Sequence, residues 1–259
     1  MSFQAAKSST PSVESAVSPE EWEARVQLAA AYRLIHRYGM ATTLVFNHIS
    51  ARVPGAEHRF LLNPYGLAYD EVTASSLLKV DLEGNTVAPT EYNLNRAGFM
   101  IHGAIHGARP DVACVLHTHT ESGMAVSCLE DGFLFVNQEA LMFYDDLAYH
   151  DFEGIVLDGG ECPRLVASLG DKNNLVLRNH GLLTVGDSVG MAFIRMFFME
   201  KSCVAQLKLQ ATGGAIRPIP PEVCQRTADQ HRGGNDDYLG LAWTALLREL
   251  DRADIDYRG

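Results

Sequence analysis

The sequence predicts an α/β (α+β) layer fold, a central mixed, largely antiparallel β-sheet flanked by helices. Three observations lead there. Two hairpin-like pairs of apolar segments are joined by short turns, "TTLVFNHISARV" with "HRFLLN", and the two halves of "NLVLRNHGLLTVG". A helical pattern at 93–111 runs directly into a strand at 112–118, and amphipathic helices stand near both ends of the chain. With 259 residues, 47% of them hydrophobic, and a mean hydropathy of −0.05, the chain has enough apolar surface for a substantial core.

The elements follow in order. Residues 1–17 lack the apolar stretch of a signal peptide and read as a disordered leader. Ser18-Pro19-Glu20-Glu21 then offers an N-cap serine, a proline at the first helical position and a glutamate at the third, the reciprocal capping arrangement. The helix it starts carries Trp22, Val26, Ala29, Ala30, Leu34 and Ile35 on one stripe, and Gly39 stops it. Pro54-Gly55 turns the first hairpin. The helix in "NLNRAGFMIHGAIHGARPD" ends before Pro110, since the residue preceding a proline leaves the helical region. Residues 120–129 look helical, "FLFVN", "LAYH" and "GIVLD" extended, and "CPRLVASLG" a short helix ended by glycine. After the second hairpin, turning at His180-Gly181, a long helix runs from Asp187 or Ser188 to Gly213. This bounds a main domain at 18–215; residues 216–259 supply the proline-rich linker "IRPIPPEV" and a last amphipathic helix around "YLGLAWTALLREL", packed on the same domain. There is no internal repeat.

Composition excludes several function classes. A formal net charge of −11, with 21 scattered Lys and Arg, repels phosphate backbones and anionic membranes, so neither nucleic acid nor a membrane is an expected partner. The most apolar segment, "MAFIRMFFME", is broken by Arg195 and Glu200 and is too short to span a bilayer. Five cysteines (114, 128, 162, 203, 224) form no C-x-x-C pair, which points to a reducing cytoplasm.

The stretch "VACVLHTHTES" carries the first chemical signal. Residues two apart project from one face of a strand, so His117 and His119 present their rings side by side, which is ligand geometry. Alone, the pair reads first as a polar strand end whose histidines bond to water or backbone. His180, where a β-rich run meets a glycine, is a third imidazole; alone, it too fits an ordinary turn histidine.

The blocks "FNHISARVPG", "FLLNPYGLAYDEVTASSLLKVD", "NRAGFMIHGAIHGARPDVACVLHTHT", "LAYHDFEGIVL" and "LVLRNHGLLTVGDSV" together resemble the class II aldolase/adducin family, in its adducin-like branch, over roughly residues 20–215. The resemblance implies the class II aldolase fold, a homo-oligomer with tetramer favoured, and one divalent metal per subunit on His117, His119 and His180. Zinc is the first expectation, with Fe, Mn, Co or Ni also suited to three imidazoles.

Two departures stand out. The family's Ser-Ser-Glu block falls on Arg96-Ala97-Gly98, so Gly98 replaces the acid/base glutamate, a loss that typically costs ~10²–10⁴-fold in rate. The family's phosphate-binding pairs fall on Asn47-His48, Tyr65-Gly66 and Arg96-Ala97, which suits a carboxylate gripped by Arg96 better than a sugar phosphate. Glu139, amid apolar neighbours, and Tyr149 are the candidate catalytic replacements, with Glu121, His150 and Asp151 behind them. His102 and His106, four apart on one helix, mimic metal spacing but read as packing or surface.

The expected function is a cytoplasmic metal-dependent lyase acting on a small carbonyl or carboxylate compound by aldol cleavage or decarboxylation through a metal-stabilised enolate. A non-haem iron oxygenase on an arylpyruvate-like acid and a non-catalytic adducin-like scaffold are the alternatives. Actin or spectrin binding is disfavoured, because the chain ends at "DRADIDYRG" with no lysine-rich tail.

Overall fold

The computed structural model describes residues 12–44, 46–55, 58–155, 159–233 and 237–259. Within the expected leader, residues 1–11 lie outside the described residues, while α1 (Val13–Ala16) is a single helical turn because the Ser12 hydroxyl accepts from the Ser15 N–H. The first long helix, α2 (Pro19–Arg37), is capped as expected by Ser18, whose hydroxyl accepts from the Glu21 N–H at 3.1 Å. The return half of the capping box is replaced. Glu21 is buried and gives its carboxylate to Arg25 (3.1 Å) and Lys79 (2.6 Å), and Arg25 donates onward to the Leu77 carbonyl at 2.8 Å.

One seven-stranded sheet organises the rest, in the order β3-β2-β1-β4-β7-β6-β5. Its strands are β1 (His48–Arg52), β2 (Phe60–Leu62), β3 (Leu78–Val80), β4 (Cys114–Thr118), β5 (Leu147–His150), β6 (Asn174–Leu177) and β7 (Gly181–Gly186). Every pairing is antiparallel except β5 with β6, so the sheet is mixed and largely antiparallel, as the sequence predicts. The first strand is shorter than expected. Residues 42–44 form a turn, in which the Thr43 hydroxyl donates to the Asn47 side chain, and pairing begins only at His48.

Helices cover both faces. On one lie α2, α6 (Val189–Ala211) and α8 (Asp237–Arg252), packed over Ile49, Leu116, Val176 and Leu182. On the other lie α3 (Arg96–Ala108) and α5 (Cys162–Leu169), packed over Val115, Leu175, Leu183 and Val185. The short α4 (Glu121–Ser127) follows β4 directly. The expected strand at 133–137 pairs with no other strand. Its backbone groups are met instead by Gln206 of α6, which accepts from the Leu134 N–H and donates to the Gly132 carbonyl, each at 2.8 Å. The expected extended segment at 154–158 falls largely on residues 156–158, outside the described residues. An additional helix, α7 (Pro221–Gly233), occupies much of the tail read as linker; Pro221 at its start and Glu222 in its first turn are the signals that mark it. Among the described residues no helix is long and apolar enough to cross a membrane.

The last helix is held to the domain by Trp243, which donates to the Gln27 side chain at 2.6 Å and stands 5.5 Å from the Phe193 ring. A Cβ on Gly190 would come within 2.7 Å of the Trp243 ring. Gly190→Ala is therefore expected to displace the indole and cost about 1–3 kcal/mol, read as a lowered denaturation midpoint with a red-shifted tryptophan emission.

Candidate metal centre

The centre is built where β4 ends and where β6 turns into β7. His117 points to the α3 face of the sheet, beside Val115 and across from Leu183, and His119 follows in the loop capped by Thr120. His180 sits in the turn before Gly181. A Cβ at 181 would lie 2.4 Å from the Thr118 carbonyl oxygen, so only glycine lets this turn press against the end of β4. The result is convergence: the Nε2 atoms of His117 and His119 are 2.6 Å apart, those of His119 and His180 2.8 Å apart, and one ligand atom from each ring lies within 4.8 Å of the others. No carboxylate or thiol joins them among the described residues.

The electrostatics favour neutral rings. Burial lowers the His117 pKa well below its ordinary value, with further repulsion from His180 and His119. Burial also lowers His119, and it brings His180 to about 4 with the help of His119. His117 Nδ1 lies 2.8 Å from the Leu182 carbonyl, an acceptor, so Nδ1 carries the proton and Nε2 keeps its lone pair. Three neutral imidazoles with free Nε2 lone pairs fit a divalent cation. Tetrahedral bonds of about 2.0–2.1 Å would set the nitrogens about 3.3 Å apart, so small ring rotations suffice to admit it.

Glu200 supports the centre from the opposite face, and the sequence reading had placed it only as an interruption of an apolar run. Its buried carboxylate accepts from the hydroxyls of Thr118 (3.2 Å), Thr120 and Ser122 (2.8 Å), the first two flanking His119. Burial raises its pKa, opposed by those three hydroxyls. The signal was available in Thr118-His119-Thr120, whose hydroxyls face away from the ligand side of the strand.

The expected substrate residues gather beside the cluster. His48 is the cross-strand partner of His117. It is buried, and its Nδ1–H donates to Asn63 Oδ1 (3.4 Å) while Nε2 accepts from Asn95 Nδ2 (3.1 Å). Burial takes its pKa to about 4, opposed by Asn63 and assisted by His119. A Cβ on Gly98 would fall 1.9 Å from the His48 ring, so glycine at 98 and imidazole at 48 share one volume. Asn47 is buried with its Nδ2 unpartnered among the described residues. Tyr65 and Gly66 are exposed on the loop after β2; Tyr65 bridges to Asn93 and stands 6.5 Å from the Phe46 ring. Arg96 opens α3, exposed, next to the Asn95 that touches His48.

The expected catalytic residues are not brought to the centre. Glu139, expected to be buried near the metal, is exposed, because the apolar side of the following turn, Ala140, Leu141 and Phe143, takes the core. Tyr149 pairs with Val176 on the face opposite His117; its hydroxyl accepts from the Phe133 N–H (3.0 Å), and the Arg178 guanidinium lies 4.3 Å from its ring. Glu121 and Asp151 are exposed, and His150 is engaged by Ser168 and Glu161, each at 3.0 Å. His102 and His106 are packing residues, not surface ones: both are buried and meet the Ser50 hydroxyl, at 2.7 and 2.8 Å.

Two outcomes follow from this geometry. Gly98→Ala is expected to cost about 1–3 kcal/mol by driving the His48 ring from its partners, and Gly98→Ala with His48→Ala to restore most of that loss in a double-mutant cycle measured by urea denaturation. Burial takes His48 to about 4 and His106 to about 3 from 6.5. The folded chain thus binds fewer protons than the unfolded one below about pH 6.5, so stability is full above that pH and falls as pH drops toward 4, by about 2 kcal/mol or more. Denaturation midpoints of chelator-treated protein across this range check it; a flat profile is the contrary result.

Comparison with known proteins agrees with this architecture. The family model described as Class II Aldolase and Adducin N-terminal domain matches residues 26–207. The crystal structure of an aldolase II superfamily protein from Pseudomonas syringae superposes with a TM-score of 0.91 at 48% identity, covering 96% of this chain and 100% of that one. An L-fuculose 1-phosphate aldolase from Glaciozyma antarctica superposes with a TM-score of 0.80 at 30% identity, over 93% of each chain. Alpha-adducin from Mus musculus is 44% identical over 193 residues, 73% of this chain and 26% of that protein. Fold, matched span and identity agree: the chain belongs to the class II aldolase and adducin family.

Proposed function

We propose that the chain is a metal-dependent lyase acting on a small carbonyl or carboxylate compound, by aldol cleavage or decarboxylation through an enolate. The observation that carries this is the convergence of three neutral Nε2 atoms from two separate pieces of backbone. Similarity to an L-fuculose 1-phosphate aldolase supports an aldol-type lyase. A divalent ion on His117, His119 and His180, zinc as first choice, supplies Lewis-acid polarisation of a carbonyl or enolate oxygen when bound. The chain's own residues do the rest. The Leu182 carbonyl orients His117, Glu200 holds the two threonines around His119, and Asn63 and Asn95 fix His48 beside the ligand set. The site belongs to a cytoplasmic homo-oligomer, a tetramer in this reading.

A second reading has its own observation. Among the described residues no carboxylate stands with the three histidines, and position 98 has no room for one while His48 is there. Together with the similarity to alpha-adducin, that supports a scaffold without catalysis. Iron on the same ligands would support an oxygenase.

Elemental analysis and turnover decide among them. About one divalent ion per chain is expected in protein purified without a chelating tag, with near-complete loss in His117→Ala. Turnover of hydroxy-carbonyl or 2-oxo acid compounds is expected to disappear with the ion, and to survive in Glu139→Gln. Metal retention in His117→Ala refutes the centre; a metal-loaded protein inert across the panel favours the scaffold; stoichiometric iron with oxygen uptake favours the oxygenase.

A further inference from the structure

Four observations on the substrate side of the centre share one sign. The three ligand imidazoles bring no carboxylate with them among the described residues. The fourth imidazole, His48, fills the volume that a side chain at position 98 would need. Arg96, in the first turn of α3, is exposed, and its side chain forms no hydrogen bond or ion pair with any described residue. Asn47, one residue before His48, keeps a buried amide donor without a partner among the described residues. A divalent ion on three neutral ligands would carry its full charge into this space, and Arg96, the residue after the Asn95 that contacts His48, adds a guanidinium with no partner among the described residues. Among the described residues no carboxylate stands with the three ligand nitrogens; Glu200 lies behind them on the opposite face.

We infer that the centre selects a 2-oxo or 2-hydroxy carboxylate, with Arg96 as the specificity-determining residue for the carboxylate and His48 as the positioning residue that keeps the start of α3 free of negative charge. The inference rests on the metal-dependent reading and names the substrate class for it. A planar guanidinium fork matches a planar carboxylate with two parallel hydrogen bonds. A phosphate is commonly cradled by several backbone N–H groups and small hydroxyls, whereas here Tyr65 is exposed on the loop after β2 and the larger side chains of Asn47 and His48 are buried at the start of β1. His48 acts through Asn95: its Nε2 accepts from the Asn95 amide, and Asn95 Oδ1 caps α3 by accepting from the Gly98 N–H, which fixes the backbone that presents Arg96.

The test is calorimetric titration of zinc-loaded full-length protein with glycolate and, separately, with inorganic phosphate, with zinc stoichiometry measured for each variant. Arg96→Gln is expected to weaken glycolate binding about 10- to 100-fold while zinc content stays unchanged, the loss of one charge-assisted pair, and Arg96→Lys to recover part of it. His48→Ala combined with Gly98→Glu exchanges the ring for a carboxylate and is expected to weaken glycolate about 100-fold through like-charge repulsion, whereas His48→Gln, which keeps an acceptor for Asn95, is expected to stay near the parent. Unchanged glycolate affinity in Arg96→Gln with zinc bound overturns the inference, and so does tighter binding of phosphate than of glycolate. Failure of the parent protein to hold zinc instead overturns the metal-dependent reading beneath it, so the two failures are separable.

Discussion

The register of β4 between β1 and β7 is the constraint on which everything else in the molecule depends. It sets His117 opposite His48 on one side and opposite Leu183 on the other, and it lets β7 begin at Gly181, directly against the last carbonyl of β4. Because side chains alternate with period two, a slip of β4 by one residue would turn His117 to the α6 side of the sheet, away from His48, and bring Thr118 to the other. The apolar alternation prevents that slip: Cys114 and Leu116 belong to the larger cluster and Val115 to the smaller, each already filled by helices. The convergence of the three histidines is therefore a by-product of core packing on both faces, and it carries the rigidity of that packing.

Two polar networks tie the sheet to its helices. Glu21, Arg25 and Lys79 join α2 to β3 and to the loop before it, and Glu200 joins α6 to the loop that carries His119. Each satisfies a charge that would otherwise be costly to bury. In the second, Thr118, Thr120 and Ser122 all answer to one carboxylate, so the backbone around His119 is fixed from the face opposite the histidine cluster.

Much of this was legible in the residues. The Ser18 cap, the Pro54-Gly55 turn, the alternation through 112–118 and the glycine after His180 each state a local rule that the fold obeys. The motif match to the family pointed to the three histidines, and the fold brings them together. What stayed hidden depended on partners distant in sequence. The segment 133–137 has the composition of a strand, yet the Tyr149 hydroxyl takes the Phe133 N–H and Gln206, some 70 residues on, takes the Leu134 N–H, and no local pattern reports that. Glu139 stands out by its apolar neighbours and Tyr149 by the family resemblance; that the first is exposed before a short turn and the second lies on the α6 face of the sheet depends on packing that no local pattern reports. The occupation of the Gly98 space by His48 likewise joins two positions 50 apart that only the packing of α3 on β1 brings into contact.

That shared space also constrains how this chain can change by mutation. Any larger residue at 98 collides with the ring at 48, and truncating the ring to alanine leaves a void beside the three histidines, so either of those changes made alone destabilises the chain. A descendant reaching for a glutamate at that helix turn would have to alter both codons nearly together. The pair behaves as an evolutionary ratchet, holding this lineage to whatever chemistry an imidazole in that place allows.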